Sequence, residues 1–88
     1  MTKTSVVHCK KSKYDIYIGR PSMWGNPFIL GRDGNRDDVV DKYKDWIKGR
    51  PDLLERINTL RGKRLGCFCS PNRCHGDTLA ELADESNP

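Results

Sequence analysis

The feature that most constrains the fold is the stretch from residue 66 to residue 82, which reads GCFCSPNRCHGDTLAEL. It holds three of the four cysteines and one of the two histidines of the chain. The stretch begins with an apolar run, continues with a polar turn at 70–73, and ends with an amphipathic pattern. This order predicts a strand, a tight loop and a helix that begins at 74–77. Helix starts have unpaired N–H groups and a positive macrodipole, so this one favours an anion or a thiolate.

Three runs of β-forming residues predict the strands of a small sheet. Residues 5–9 and 15–19 are separated by a polar stretch and indicate a β-hairpin. Residues 63–69 form the third strand, and the crossover that leads to it is long enough to be parallel and right-handed. The carboxyl ends of strands two and three then lie side by side, where parallel α/β sheets bind ligands. We therefore expect Arg20 and Cys74 to border one cavity.

Helical patterns fill the remainder of the chain. Apolar residues at spacings of three and four predict a helix over 37–48, with Asn35 as its N-cap and Trp46 on its core-facing stripe. A second helix is expected to begin at Pro51 and to end at Gly62, and a third covers 78–83.

The element order predicts the α/β class: a small three-stranded mixed sheet, made of an N-terminal hairpin plus a parallel strand, covered by about three helices. The 88 residues suit one domain with an ordered core over 5–84. No apolar run has the length of a transmembrane helix, and the start lacks a signal-peptide pattern. We therefore expect a cytoplasmic protein with no membrane partner, reduced thiols and no disulfide.

The loop at 20–28 contains two prolines and a glycine, yet it also carries large apolar groups. Arg20 ends a strand at the expected crevice, where a guanidinium can bind a phosphate in bidentate fashion. Trp24 is suited to stack on a base, and Asn26 offers a donor and an acceptor. Core packing for Trp24 and closure of its own turn by Asn26 are the alternatives. Ser22 belongs to the same predicted ligand loop.

Five segments in this order resemble the family known as domain of unknown function 4326, which is common in phage and bacterial genomes. The resemblance covers nearly the whole chain and implies a small α/β domain but no particular activity. For a phage-encoded protein it places the domain in the host cytoplasm. The segments are YIGRPS (17–22), WGNPF (24–28), LRGK (60–63), LGCFC (65–69) and CHGD (74–77).

Cys74 is the candidate nucleophile, because a helix start, Arg73 and His75 would all favour its thiolate. His75 and Asp77 complete the candidate catalytic group, and Asp77 is also suited to bind a ribose hydroxyl. Arg73 and Gly76 are candidate ligand residues, since glycine lets the backbone approach an anion closely. The structural alternative is that His75 and Asp77 cap the helix while Cys74 packs beneath it.

The cysteines also permit a zinc site. Cys67 and Cys69 lie two residues apart on a strand, so both side chains point to one face. With Cys74 and His75 they have the residue types that zinc prefers, although C-x-C followed by C-H lacks the spacing of paired C-x-x-C motifs. Zinc is therefore an alternative cofactor, and simple burial of a cysteine competes with it. Cys69 is also counted among the ligand-binding candidates.

The combined pattern predicts a nucleotide- or nucleoside-type ligand site formed by IGRPSMWGNPF (18–28) and CFCSPNRCHGD (67–77). The residues leave open whether this site binds or catalyses, and they do not determine the oligomeric state. The alternative is a zinc-stabilised interaction module that binds nucleic acid or a host protein. A net charge of +4 permits an anionic partner of either kind. The basic residues expected to contact nucleic acid are Lys10, Lys11, Lys13, Arg61, Lys63 and Arg64.

Overall fold

The computed structural model of the chain describes residues 3–69 and 72–85. Three short strands form one sheet in the order β1–β3–β2, with β1 at Ser5–His8, β2 at Ile16–Tyr17 and β3 at Arg64–Cys67. Both outer strands run parallel to the central β3. The α/β class and the parallel pairing of the second and third strands are confirmed.

The predicted N-terminal hairpin is wrong, and the sheet is fully parallel rather than mixed. Residues 9–15 cross over β3 instead of turning back. The Tyr14 ring lies on Gly66 during this crossing, and a Cβ at Gly66 would come within 2.7 Å of Tyr14 Cγ. Because β2 has only two residues, a hairpin with β1 would form few hydrogen bonds. Pairing with β3 instead places β1 and β2 on either side of a mostly buried central strand.

The first predicted helix is confirmed as α1, Arg36–Lys48. Asn35 is its N-cap, and its side chain accepts a hydrogen bond from the Asp38 N–H at 2.9 Å. The Asp38 carboxylate accepts the Asn35 N–H in return at 3.0 Å, which completes a capping box. Local chemistry alone therefore determines where this helix begins.

The second predicted helix is divided into α2, Pro51–Leu54, and a 3₁₀ helix, Ile57–Leu60. Gly62 follows with a φ of 75°, a left-handed conformation that favours glycine. The last helix, α3, spans His75–Glu85 and is longer than predicted. Within the described ranges, no helix combines the length and apolar character needed to cross a bilayer.

The hydrophobic core lies between the sheet and the helices and includes both tryptophans to different degrees. Trp24 is only 5% exposed, whereas Trp46 is half-buried and carries the Arg50 guanidinium 4.9 Å from its ring. The prediction that Trp24 belongs to the site loop is therefore wrong, whereas Trp46 packs against the core, as predicted, but is only partly buried. The buried Tyr43 hydroxyl donates to the Trp24 carbonyl at 2.8 Å, which holds the loop against α1 with its indole inside.

Candidate functional site

A cleft of about 380 Å³ opens where β2 and β3 end. The loop after β2, the residues after β3, the first half of α1 and the start of α3 all contribute to it. The expectation that Arg20 and Cys74 border one cavity is confirmed. The lining consists of Tyr17, Gly19, Arg20, Asn26, Phe28, Leu30, Arg36, Val39, Val40, Cys67, Phe68, Cys69, Arg73, Cys74 and His75.

Arg20 presents an exposed guanidinium at this cleft. In the described part of the chain this guanidinium has neither a hydrogen-bond acceptor nor an ion-pair partner. The Arg20 backbone is well held, since its carbonyl accepts the Tyr17 hydroxyl at 3.1 Å. Gly25 packs against it so closely that a Cβ there would lie 2.9 Å from Arg20 Cγ and 3.1 Å from Arg20 Cα. A fixed backbone thus carries an available cation.

Arg73, the second predicted anion ligand, is committed to α1. Its two terminal nitrogens donate to Asp37 and Asp41, each at 2.9 Å, and both carboxylates raise the pKa of the guanidinium. Arg36 in turn donates to the Arg73 carbonyl at 3.2 Å. These contacts join the turn before α3 to α1, so the charge of Arg73 is balanced within the protein. The first two residues of that turn, 70 and 71, lie outside the described residues.

His75 is buried at the inner wall of the cleft. Its Nε2 lies 2.8 Å from the Ile18 carbonyl oxygen, which can only accept, so Nε2 carries the proton and Nδ1 the lone pair. The Tyr43 ring meets the imidazole edge-on at a centroid distance of 4.9 Å. Burial lowers the pKa of His75, opposed by the Ile18 hydrogen bond and by Asp77. The imidazole is therefore neutral near pH 7.

This lowered pKa of His75 predicts a pH-dependent stability. The unfolded chain has a histidine pKa of about 6.5, so it binds a proton that the folded state resists as the pH falls below that value. The contribution of His75 to the free energy of unfolding is therefore fully present above about pH 6.5. It is lost as the pH falls from there towards the lower pKa of the folded state. Urea unfolding at about pH 7.5 and at about pH 5.5 should show this decrease. Both pH values lie above the range, about pH 4, in which carboxylates titrate. His75→Gln should flatten this dependence on pH, and an unchanged dependence in His75→Gln would contradict the assignment.

Cys74 is buried against a second thiol. Its Sγ lies 3.3 Å from Cys67 Sγ and accepts the Gly76 N–H, also at 3.3 Å. The hydrogen bond with Cys67 and burial raise the pKa of the Cys74 thiol. The expected thiolate at Cys74 is therefore not supported, because burial outweighs the helix start and the nearby Arg73 charge is already balanced. All four cysteines, each within the described residues, are thiols rather than disulfides.

Four predicted ligand or catalytic residues do not line the cleft. The Trp24 indole is in the core, and the Ser22 hydroxyl is buried without a partner among the described residues. Asp77 accepts the Cys74 N–H at 3.1 Å, which is the capping role considered as its alternative. Gly76, in the first turn of α3, faces the sheet, where a Cβ would lie 2.7 Å from Ile18 Cδ1. Gly76 therefore serves close packing of helix on strand rather than approach to an anion.

Asn26 lines the cleft, but its side-chain amide forms hydrogen bonds within the protein. Its Nδ2 donates to the Val39 carbonyl at 3.1 Å, and its Oδ1 accepts the Phe28 N–H at 2.9 Å. The side chain thus closes its own turn and ties the loop to α1.

The predicted zinc set is only partly assembled. Cys67, Cys69, Cys74 and His75 all border the cleft. Among residues 3–69 and 72–85, however, no three His, Cys, Asp or Glu side chains are grouped so that they could hold a metal ion. The Nε2 of His75 already donates to a carbonyl, and the Cys67–Cys74 pair is in direct contact. These residues as arranged do not fit a four-ligand zinc centre.

Exposed aromatic residues at the mouth of the cleft were not singled out from the sequence. Phe68 is 54% exposed, and Tyr17 meets it edge-on at a centroid distance of 6.1 Å. The C-F-C alternation contained the signal, since residues next to the inward-facing Cys67 point to the opposite side of a strand. Phe28, Val39 and Val40 provide apolar walls.

These features define a small parallel α/β domain with a partly apolar, cation-bearing cleft at the carboxyl edge of its sheet. The chain belongs to the family described as domain of unknown function (DUF4326), which it matches over residues 4–85. It is 38% identical over 84 residues to an uncharacterised 12.4 kDa protein from the nrdA-td intergenic region of Enterobacteria phage T4, covering 90% of this chain and 76% of that protein. It is also 33% identical, over an alignment of 106 positions including gaps, to an uncharacterised protein of Acanthamoeba polyphaga mimivirus. That alignment covers 93% of this chain and 81% of the mimivirus protein. No solved structure matches the chain.

Proposed function

We propose that the cleft binds a small nucleotide-like ligand, with a phosphate at Arg20 and the base against Phe68 and Tyr17. One observation carries this proposal: the guanidinium of Arg20, unpartnered in the described chain, lines the same cleft as a phenylalanine that is 54% exposed. A nucleotide has an anionic phosphate, which matches the guanidinium of Arg20, and a flat base, which matches the ring of Phe68.

The size and the lining of the cleft support a small organic ligand. A volume of about 380 Å³ lies within the range of about 300–1,000 Å³ that small-molecule sites occupy. Apolar walls from Phe28, Val39 and Val40 can exclude water from a base or sugar. A position at the carboxyl ends of parallel strands is where open α/β sheets bind their ligands.

The charges favour an anion at Arg20 over one at Arg73. Asp37 and Asp41 both pair with Arg73, so this cluster holds two negative charges against one positive charge and disfavours an anion at Arg73. Arg20 has no such carboxylate within the described residues and can form charge-assisted, bidentate hydrogen bonds with a phosphate. Arg36, also in the lining, adds a second positive charge on the facing wall.

We propose binding rather than covalent catalysis as the role of this cleft. The raised pKa of Cys74 leaves its thiol protonated, and protonated thiols are poor nucleophiles. His75 has its Nε2 committed to the Ile18 carbonyl. We place this binding in the cytoplasm, where thiols such as these stay reduced; for a virus-encoded protein, that is the cytoplasm of the host.

A thermal-shift screen of nucleoside mono-, di- and triphosphates tests the proposal. A ligand at about 100 times its Kd stabilises the folded state by about 2.7 kcal/mol, and each kcal/mol raises the Tm of a domain this size by about 4–8 °C. Arg20→Ala should weaken that ligand by about 10–100-fold, the loss expected for a hydrogen bond to a charged group.

Arg56→Ala is the matched control, because Arg56 is exposed and does not line this cleft. It should bind as the parent does. A flat response to every nucleotide, or a shift that survives Arg20→Ala, would contradict the proposal. Stoichiometric zinc together with a flat response would favour the interaction module instead.

A further inference from the structure

We propose that a second surface, beside the cleft, binds single-stranded nucleic acid. This surface, which we name the lysine groove, is a shallow depression of about 600 Å³ bordered by Lys10, Lys11, Lys13, Tyr14 and Arg64. Phosphates would lie along the lysines, and unpaired bases would stack on the aromatic residues next to them. The residues that line the groove do not line the nucleotide cleft, whereas Tyr17 and Phe68, two of the aromatic residues next to the groove, do line the cleft.

The charges of the groove are available to a polyanion. Lys10, Lys11 and Lys13 are exposed, and none forms an ion pair in the described part of the chain. Arg64 is different, since its Nε lies 3.7 Å from an Asp15 carboxylate oxygen that also accepts the Arg64 backbone N–H at 2.8 Å. Three lysine charges therefore face solvent with one balanced arginine beside them, which is the pattern of a phosphate-tracking groove.

A row of aromatic rings adjoins the lysines. Tyr14 and Tyr17 have centroids 6.3 Å apart, Tyr17 and Phe68 are 6.1 Å apart, and Phe68 and His8 are 6.0 Å apart. The Lys10 ammonium lies 5.9 Å from the centre of the Phe68 ring, which joins the row to the groove. Tyr14 and Phe68 are 43% and 54% exposed, so bases can reach both rings.

The segment that carries the lysines is held by the backbone. The Cys9 N–H donates to the Cys67 carbonyl at 2.9 Å, and the Asp15 N–H donates to the Arg64 carbonyl at 2.8 Å. The Lys11 N–H donates to the His8 carbonyl at 3.0 Å. Because both ends are fixed to β3, binding would order little additional chain, which lowers the entropic cost of association.

The aromatic row indicates a single strand rather than a duplex. Rings can stack on bases only when the bases are unpaired, whereas a duplex would offer its phosphates alone. The basic set predicted from the sequence is accordingly divided. Lys10, Lys11, Lys13 and Arg64 line the groove, while Arg61 and Lys63 precede β3 and do not.

Fluorescence anisotropy with a labelled oligothymidylate of about 12 nucleotides tests the groove. The double variant Lys11→Ala/Lys13→Ala should bind at least about tenfold more weakly, and the slope of log affinity against log salt should fall by about 1.4, or 0.7 per lost phosphate contact. The matched control is Lys44→Ala/Lys48→Ala on α1, which makes the same change in net charge. Phe68→Ala and the milder Phe68→Leu should each weaken binding as well, by about tenfold for Ala. Because Phe68 also lines the cleft, these two variants should weaken the mononucleotide too, and only the lysine variant separates the two sites.

The proposal for the groove would be overturned by the absence of saturable binding, by equal loss in both double variants, or by a duplex of equal length bound as tightly as the single strand. An acidic polyglutamate that competes as well as the oligonucleotide would also overturn it, because glutamate cannot stack on rings. The mononucleotide thermal shift should survive Lys11→Ala/Lys13→Ala. Failure of the cleft and failure of the groove are thus separate observations.

Discussion

Replacing Trp24 with alanine is expected to lower the free energy of unfolding by about 3–5 kcal/mol, the usual cost of deleting a buried tryptophan. Trp24 is 5% exposed and packs in the main hydrophobic cluster. Small domains have a total stability of about 5–15 kcal/mol, so the variant should be close to unfolding at room temperature. Urea denaturation followed by far-UV circular dichroism measures the change.

Two variants control this result. Met23→Ala alters the neighbouring residue, which is 52% exposed, and should change stability by less than about 0.5 kcal/mol. Trp46→Ala should cost less than Trp24→Ala, because Trp46 is only partly buried at the edge of the core, with Arg50 over its ring. A larger loss in Trp46→Ala would contradict the placement of Trp24 in the core.

Gly76→Ala is expected to destabilise the protein by about 1–3 kcal/mol, although alanine is the better helix former. The added Cβ would lie 2.7 Å from Ile18 Cδ1 and 3.0 Å from Val6 Cγ1. Ile18 is fully buried, and close-packed interiors leave little room for its Cδ1 to move. Overpacking at the contact between α3 and the sheet therefore exceeds the gain in helix propensity.

Gly49→Ala is the matched control for this substitution. Gly49 has a negative φ, and a Cβ there would meet only the Trp46 carbonyl at 3.5 Å, an ordinary contact. The change should be neutral or stabilising by about 0.4–1 kcal/mol, because alanine restricts the unfolded chain. Equal Tm values for Gly76→Ala and the parent would show that α3 sits more loosely on the sheet than the distances imply.

Elements governed by local chemistry could be predicted from the sequence. The start of α1 follows from Asn35 and Asp38, which lie three residues apart and cap each other. The end of the 3₁₀ segment follows from Gly62 and its positive φ. In each case the residues that decide the structure are neighbours along the chain.

Features that depend on distant partners could not be predicted in the same way. Alternation in β1 and β2 marks them as strands, but it does not encode that β3 lies between them. Trp24 sits among prolines and glycines with no periodicity, so its burial depends on Tyr43, 19 residues away. The thiol of Cys74 illustrates the same limit: the helix start is local, whereas the contact with Cys67 arises only when α3 packs on the sheet.

The location of the candidate site was predictable, because parallel strands end at one edge and the two unusual loops follow those ends. The residues available to a ligand were harder to predict. Arg20 remains the candidate for binding an anion, but the sequence could not show that Arg73 would be paired with Asp37 and Asp41. The sequence signal for Phe68 is its alternation with the inward-facing Cys67, which places it on the opposite side of the strand, whereas its residue type alone favours the core.

The most direct test of a nucleotide site in the cleft is a backbone-amide NMR titration with the nucleotide that gives the largest thermal shift. We predict saturable shift changes concentrated at Gly19, Arg20, Phe68 and Cys69, with little change in α2. The same titration of Arg20→Ala should reach saturation only at about 10–100-fold higher concentration. Saturable changes centred away from these four residues, or no saturable change at all, would contradict it.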